Sequence, residues 1–270
     1  SVSLNANSPG TGETGLWSIT SGTGGHFGSG SQTSTNPNAV FHGLDEHAYT
    51  LEWKISNNCY NSTDYVTISF GNAWVCGTDF TDNRDNQVYP TVPIGSQCWM
   101  AKNLNVGTQI FSGQNPSNNG TIEKYCYSND TDNCDLYGAL YNWKEAMNYT
   151  TTPGIQGICP EGWRIPTTIE WQNLNNFASP DPACKLKINA SFAWNVLDCI
   201  TDQFGFSAMG AGKLDGVNFM QLMGAANFWT SDEHNSVNSK FITFIDGASD
   251  FYQLNISKNN GLSIRCIKQN

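Results

Sequence analysis

Nine cysteines, none of them in C-x-x-C spacing, constrain this chain of 270 residues more than any other feature of its sequence. Structural zinc sites draw on closely spaced cysteine pairs, so this spacing argues against zinc. Many cysteines in one chain are typical of exported proteins, because disulfides form and persist in oxidising compartments. Since the number is odd, at least one thiol is free, intermolecular, or paired with a group outside the chain. The sequence therefore predicts an exported, disulfide-rich protein.

Charge and hydropathy exclude two classes of partner. Only 13% of the residues are charged and the net charge is −10, so the clustered lysines and arginines of a nucleic-acid-binding surface are absent. No apolar run approaches the length of about 18 residues that predicts a membrane span.

An aromatic content of 12% indicates a folded chain rather than a disordered one. No secretory signal pattern opens the sequence, so we expect any such signal to have been removed or to lie outside it.

A shift in composition near residue 71 predicts two domains, residues 1–70 and 71–270. Apolar and polar residues alternate over 48–55 and again over 65–70, which is the period of strands with one buried face. Together with a central Trp17, these strands suit a small β-sandwich. The stretches GLWSITSGTGGHF and YTLEWKISNNC resemble the PKD-like or immunoglobulin-like repeats of bacterial surface proteins. That resemblance implies a spacer module.

Cys59 is the cysteine that lies in this N-terminal module. In the repeats that the module resembles, the equivalent cysteine pairs with one just ahead of the first strand, and the sequence contains no such partner. One interpretation is that the N-terminal domain is incomplete at its N-terminus. The alternative is that Cys59 forms a cross-link to a neighbouring subunit, and the sequence leaves both open.

The C-terminal module contains a series of distinctive segments. They include QCWMAKNLNVG, YGALYNWKEAMNY, ICPEGWRIPTTIEWQNL, FGFSAMGAGKLDG, ANFWTSDEH and GLSIRCIK. Taken together and in this order, over about residues 76–269, they resemble the FISUMP domain. This is the Fibrobacter succinogenes major paralogous domain of exported proteins of Bacteroidetes and Fibrobacteres, a family for which no enzymatic role is established.

Three of these segments also resemble the formylglycine-generating-enzyme family, a branch of the C-type-lectin-like fold. They are GWRIPTTIEW, FWTSDE and LSIRCIK. The resemblance implies a compact, twisted antiparallel sheet with two helices and long loops, so the fold class expected for the whole chain is mainly β with α+β. The enzymes of that family use two cysteines ahead of the closing strand. Residues 239–263 contain none, so their activity is not expected here.

The local pattern predicts two helices in the C-terminal domain. Thr167 and Glu170 form a capping box. The helix that they open carries Trp171, Leu174 and Ala178 on one face, at the spacing of a core-facing stripe. A second helix fits residues 140–147. The tryptophans inside the family motifs are expected in the core: Trp143, Trp163, Trp171 and Trp229.

The resemblance also suggests how the eight cysteines of this domain pair. The implied pairs are Cys76 with Cys98, Cys126 with Cys134, Cys159 with Cys266, and Cys184 with Cys199. The bridge from 159 to 266 would tie together distant parts of the chain, as in lectin-like folds. Eight cysteines allow 105 connectivities, so the sequence alone does not choose among them.

No catalytic constellation is visible in the sequence. The histidines are scattered and match no metalloenzyme motif: His26, His42, His47 and His234. Asp232 and Glu233 are adjacent on one expected strand, so their side chains point to opposite faces and do not flank a shared glycosidic bond. We therefore expect no enzymatic activity.

Binding is the function class that remains. Aromatic rings stack on apolar faces such as those of sugar rings. The aromatic residues outside the most constrained motifs are the candidates for a surface site: Phe111, Phe251 and Tyr252. Clustered oxygen ligands in residues 129–135 suggest a calcium site, although the glycine and the distal glutamate of an EF-hand are missing. Its candidate ligands are Asp130, Asp132 and Asp135. No other cofactor is expected.

These patterns predict a non-enzymatic protein of the bacterial cell exterior, a β-sandwich spacer that carries a lectin-like domain. Its expected task is adhesion through a surface glycan or protein ligand. The alternative is a structural subunit of an extracellular appendage or filament. In that case an open sandwich edge would accept a strand from the next subunit and satisfy its backbone groups.

Overall fold

The computed structural model describes residues 1–44, 47–71 and 74–269. The chain divides into two compact units, Ser1–Trp74 and Val75–Asn270. Strands dominate the described residues, which confirms the mainly β fold class. In these ranges, no helix is long and apolar enough to cross a membrane.

The described residues of the N-terminal unit include seven strands. They are β1 (Val2–Ser3), β2 (Thr14–Ser21), β3 (His26–Phe27), β4 (Thr33–Ser34), β5 (Val40–His42), β6 (Ala48–Ser56) and β7 (Asn61–Ser69). They form two antiparallel sheets, one in the order β1-β5-β3 and one in the order β4-β2-β6-β7.

Strand β6 shows how the sequence pattern builds this unit. Tyr49, Leu51, Trp53 and Ile55 are buried, whereas the residues between them are partly exposed. This is the alternation expected of a strand with one face on a core. The buried residues join Phe41 from the other sheet in one hydrophobic cluster. The alternation predicted over 48–55 is therefore confirmed.

The C-terminal unit contains shorter elements in larger number. Its strands are β8 (Phe80–Asp82), β9 (Gln87–Tyr89), β10 (Thr91–Ile94), β11 (Gln97–Met100), β12 (Thr108–Gln109), β13 (Glu123–Lys124), β14 (Leu140–Tyr141), β15 (Trp163–Arg164), β16 (Ala211–Asp215), β17 (Asn218–Leu222), β18 (Ala225–Glu233), β19 (Asn238–Ile245), β20 (Phe251–Ser257), β21 (Leu262–Ser263) and β22 (Ile267–Lys268). Its helices are α1 (Thr131–Tyr137), α2 (Trp143–Ala146), α3 (Thr168–Ala178) and α4 (Pro182–Leu186), and a 3₁₀ turn spans Tyr127–Asn129.

A seven-stranded sheet is the centre of this unit. Its long strands β18, β19 and β20 are consecutive and antiparallel. Strands β16 and β21 pair with β18 in parallel, so the sheet is mixed rather than wholly antiparallel. A four-stranded sheet in the order β10-β11-β22-β15 brings the end of the chain between earlier strands. Short helices α1 and α4 add to the two helices that the family resemblance implies.

The four motif tryptophans lie in the core as expected, each at most 1% exposed. Trp171 packs against Trp99 at a centroid distance of 4.9 Å and against Phe228 at 5.3 Å. This aromatic cluster lies between α3 and the large sheet, and it fixes the helix against strands β18 and β19.

The capping box at the start of α3 is present. The Thr167 side chain accepts a hydrogen bond from the Glu170 backbone N–H, and the Glu170 carboxylate accepts one from the Thr167 backbone N–H. Trp171, Leu174 and Ala178 are buried on one face, so the predicted helix is confirmed.

The helix predicted over 140–147 is wrong in its first turn. Leu140 and Tyr141 form strand β14, which pairs with β21, and the helix covers only Trp143–Ala146. Asn142 caps it by accepting a hydrogen bond from the Glu145 backbone N–H. Pairing with β21 outweighs the helical spacing of the apolar residues, because local periodicity is a weaker constraint than a tertiary sheet contact.

Four disulfides join Cys76 to Cys98, Cys126 to Cys134, Cys159 to Cys266, and Cys184 to Cys199. These are the pairs that the family resemblance implies. Cys59 is free and exposed. It lies in the connection between β6 and β7, where its backbone N–H donates to the Asn57 side chain.

Arg265 is a fully buried cation that joins three segments of this unit. Its guanidinium donates to the Asn103 side chain and to the backbone oxygens of Met100, Phe206 and Ser207. A buried charge is tolerated only when hydrogen bonds replace its hydration. The carbonyls around Arg265 meet that need, so its role is structural.

Candidate ligand-binding site

The three aromatic candidates do not converge on one surface. Phe251 and Tyr252 are consecutive on β20, so their rings lie on opposite faces of the strand. Phe251 is half-buried, with its ring centroid 4.6 Å from that of Phe244, whereas Tyr252 is 46% exposed. Phe111 is exposed in the loop after β12. Of the three, Phe251 alone lines the pocket described next.

A surface pocket of about 350 Å³ lies between helix α3 and strands β19 and β20. This volume is at the lower end of the range of small-ligand sites. The lining residues are Thr168, Trp171, Gln172, Asn175, Ile242, Phe251 and Gln253.

Helix α3 forms one wall of the pocket. Thr168, Gln172 and Asn175 follow one another at spacings of four and three residues, which places them on one side of a helix. The start of the helix is held by the Asp232 carboxylate, whose Oδ2 accepts a hydrogen bond of 2.6 Å from the Thr168 backbone N–H. Arg164 and Glu170 form an ion pair beside it. These contacts make the wall rigid.

Aromatic and aliphatic side chains form the base of the pocket. Trp171 is fully buried, and its ring packs edge-on against Phe251 at a centroid distance of 6.2 Å. In the described part of the chain, no group accepts a hydrogen bond from the Trp171 indole Nε1. A buried donor without a partner is uncommon, and water or a ligand usually satisfies it.

Three amide side chains surround this base. Gln172 and Asn175 come from α3, and Gln253 comes from the same face of β20 as Phe251. Their side-chain amides make no hydrogen bond to any described residue. Each amide offers two donors and an acceptor. None of the described residues that line the pocket is charged, so the site presents neutral hydrogen-bonding groups around an apolar base.

Sequence reasoning missed these amides. It assigned Trp171 to the core and examined aromatic residues alone as surface candidates. The polar stripe of Thr168, Gln172 and Asn175 beside Trp171 was a usable signal, since it marks a second face of the same helix. Gln253 had no such signal, because only the packing of α3 against β20 brings it into the site.

The segment in which a calcium loop is expected is mostly helical. Residues 131–137 form helix α1, and Asp130 caps it by accepting a hydrogen bond from the Asp132 backbone N–H. Asp135 accepts a hydrogen bond from the Asn105 side chain instead. Across the described ranges, no three His, Cys, Asp or Glu side chains are grouped as metal ligands.

Asp232 and Glu233 have separate partners, as the alternation along β18 predicts. The Asp232 carboxylate accepts a hydrogen bond from the start of α3, and Glu233 forms an ion pair with Lys258.

Two of the histidines that are distant in the sequence are neighbours in the structure. His26 on β3 pairs with His42 on β5, and their rings stack at 5.0 Å.

Comparison with known families identifies the C-terminal unit. Residues 92–268, well over half of the chain, match the family model of the Fibrobacter succinogenes major domain. No curated protein and no solved structure matches the chain. The match covers the large sheet, helix α3 and the pocket between them. The chain is therefore a member of the Fibrobacter succinogenes major domain family, whose domain suggests a surface-associated protein.

Proposed function

We propose that this protein is a non-enzymatic recognition module of the bacterial cell exterior, and that it binds a neutral glycan in the pocket between α3 and β20. The observation that carries the proposal is the set of three solvent-accessible amide side chains, Gln172, Asn175 and Gln253, that line the pocket around an aromatic base. Adhesion to a glycan-bearing surface is the task that such a module would perform. Its disulfides suit an oxidising exterior.

The chemistry of the pocket matches that of a sugar ring. Sugar hydroxyls both donate and accept hydrogen bonds, and amide side chains offer both functions in one group. The apolar C–H face of a sugar packs on aromatic carbon, which Phe251 supplies at the base. A protein ligand could enter only through one or two side chains, because the volume is about 350 Å³.

Charge narrows the ligand class further. Among the lining residues that the structure describes, there is no lysine or arginine to pair with a carboxylate or sulfate, and the chain carries a net charge of −10. An acidic sugar would therefore be repelled rather than bound. Since the described lining residues include no carboxylate, we also propose that binding is independent of calcium.

A glycan array with the labelled protein tests this proposal, with neutral and acidic oligosaccharides and with and without a calcium chelator. We expect retention of neutral glycans that the chelator does not reduce. Asn175→Ala should weaken the affinity about fivefold, the equivalent of one hydrogen bond of about 1 kcal/mol.

Asn173→Ala is the matched control, because Asn173 is exposed on the same helix but does not line the pocket. Its affinity should equal that of the wild type. The proposal fails if no neutral glycan is retained, or if both variants bind equally well.

A second candidate function is that of a subunit in an extracellular assembly. One specific observation favours it: strand β7 is an open sheet edge of nine residues. The free thiol of Cys59 lies at the end of that edge. Sedimentation of the purified protein combined with thiol titration tests this role. A strict monomer with one reactive thiol contradicts it.

A further inference from the structure

The N-terminal unit contains an apolar groove of about 370 Å³. This groove is separate from the proposed glycan pocket, and glycan binding does not account for it. It lies between the extended segment 2–7 and strand β7. The lining residues are Val2, Ser3, Leu4, Asn5, Ala6, Asn7, Trp17, Trp53, Asp64, Tyr65, Val66 and Ile68.

One wall of the groove offers unpaired backbone groups. The N–H groups of Leu4 and Ala6 donate to Ala39 and Pro37, so these residues direct their hydrogen bonds toward the β5 side. Alternate residues of an extended segment direct theirs to the other side. Ser3, Asn5 and Asn7 therefore present N–H and C=O groups away from that sheet. The N–H groups of Asn5 and Asn7 have no acceptor among the described residues.

The other wall is strand β7, whose inner face is left uncovered. Leu51 on β6 is fully buried, but its cross-strand neighbour Val66 on β7 is 37% exposed. Ile68 on the same face is also only partly buried. Native proteins blunt open edges with lysine, proline or bulges. The segment NSTDYVTIS has neither lysine nor proline, and its pairing with β6 is unbroken.

Two tryptophans form the base of the groove. The Trp17 indole Nε1 donates to the Pro37 backbone oxygen at 3.2 Å. The Trp53 indole Nε1 is buried and finds no acceptor among the described residues. An occupant with a carbonyl oxygen would supply one.

These features fit an extended polypeptide better than a small molecule. An unpaired row of backbone groups along 2–7 spans about 20 Å, at about 3.3 Å per residue. A partner with regularly spaced N–H and C=O groups could form hydrogen bonds with this row. Apolar side chains at alternate positions of the partner could pack on Trp53, Val66 and Ile68. Among the described residues that line the groove, Asp64 alone is charged at neutral pH, so a basic residue of the partner would complement it.

We propose that this groove accepts a β-strand donated by a separate polypeptide chain. The donated strand adds beside segment 2–7, places alternate apolar side chains over Trp53, Val66 and Ile68, and sets a lysine or arginine opposite Asp64. Strand addition of this kind takes affinity from main-chain hydrogen bonds and specificity from alternate side chains. It would give the assembly role a defined site on the molecule.

Synthetic nine-residue peptides test the proposal. In each, threonine alternates with valine or isoleucine, and a lysine occupies one of the apolar-face positions in turn. We expect at least one peptide to bind, measured by fluorescence anisotropy. In hydrogen exchange, the amides of Ser3, Asn5 and Asn7 should exchange quickly in the free protein and slowly in the complex. N-methylation of the peptide on its pairing edge should abolish binding.

Two substitutions on β7 form a matched pair. Val66→Lys places a charge inside the groove and should weaken the peptide about tenfold or more, because its ammonium competes for Asp64 and repels the basic residue of the peptide. Thr67→Lys adds the same charge on the opposite face of the strand and should have little effect. Both variants should keep the glycan affinity, so failure of the groove is distinguishable from failure of the glycan pocket.

Asp64→Lys distinguishes a change in the groove from a folding defect. It should reverse the preference for the charge of the peptide, so that a peptide with glutamate binds better than the peptide with lysine. An unfolded variant could not show this gain in binding. The proposal is overturned if no peptide binds, or if Val66→Lys and Thr67→Lys bind equally. Slow exchange of Asn5 and Asn7 in the free protein would also overturn it, since the protein's own chain would then occupy the groove.

Discussion

Replacing Cys159 and Cys266 together by alanine removes the disulfide that closes the longest of the four loops in the C-terminal unit. The two cysteines are 107 residues apart in sequence, whereas Cys126 and Cys134 are eight apart. In the chain-entropy description, a disulfide restricts the unfolded chain more as the loop lengthens. The free energy of unfolding should therefore fall more for the first pair than for the second.

The loop lengths set the magnitudes. A loop of 107 residues corresponds to about 4.8 kcal/mol at 25 °C, and a loop of eight to about 2.5 kcal/mol. All four sulfurs belong to buried residues, at most 2% exposed. The loss of packing is therefore similar for both double variants. Their difference, about 2.3 kcal/mol, isolates the effect of loop length.

Urea unfolding of the two double variants, followed by tryptophan fluorescence, measures this difference. Six of the nine tryptophans lie in the C-terminal unit and report on it. If Cys126→Ala with Cys134→Ala destabilises the unit as much as Cys159→Ala with Cys266→Ala, the chain-entropy reasoning is refuted. The slope of the transition should be similar in both, and a changed slope would indicate an altered unfolded state.

Three further predictions follow from single residues. Arg265→Met should lower the free energy of unfolding by about 3–5 kcal/mol in urea, because it leaves the Asn103 oxygen and three carbonyls buried without donors; a change below 1 kcal/mol would contradict this. Thr167→Ala should cost about 1 kcal/mol through the lost cap of α3, and an exposed Asn173→Ala in the same helix should cost far less. Burial alone would raise the pKa of Glu170, but hydrogen bonds from Arg164 and Thr167 outweigh burial and lower it. The stabilisation that Glu170 provides is therefore present above its unfolded value of 4.5 and lost as the pH falls through the lower folded pKa. Arg164→Met should reduce this acid dependence in melting curves between neutral pH and about pH 3.

Sequence patterns predicted an element correctly where the residues that stabilise it are neighbours in the sequence. The capping box of α3 and the alternation of β6 are each formed by neighbouring residues, so their patterns predicted the elements correctly. The helix expected over 140–147 failed because β14 pairs with β21, more than a hundred residues later in the chain. The loop expected around Asp130, Asp132 and Asp135 is also wrong as local structure, because residues 131–137 form helix α1.

The sequence by itself determined the chemical class of the protein: its low charge, its cysteine content, its strand periodicity and, through its motifs, the family. It left 105 connectivities open for the eight cysteines of the C-terminal domain, and the family resemblance suggested one of them. Only the tertiary structure decided where ligands could bind. The pocket between α3 and β20 joins Gln172 to Gln253, and the groove of the N-terminal unit joins Asn5 to Val66. The physical reason is that a periodicity reports which face of one element is buried, whereas a binding site depends on which faces of distant elements are packed side by side and which polar groups that packing leaves unpaired.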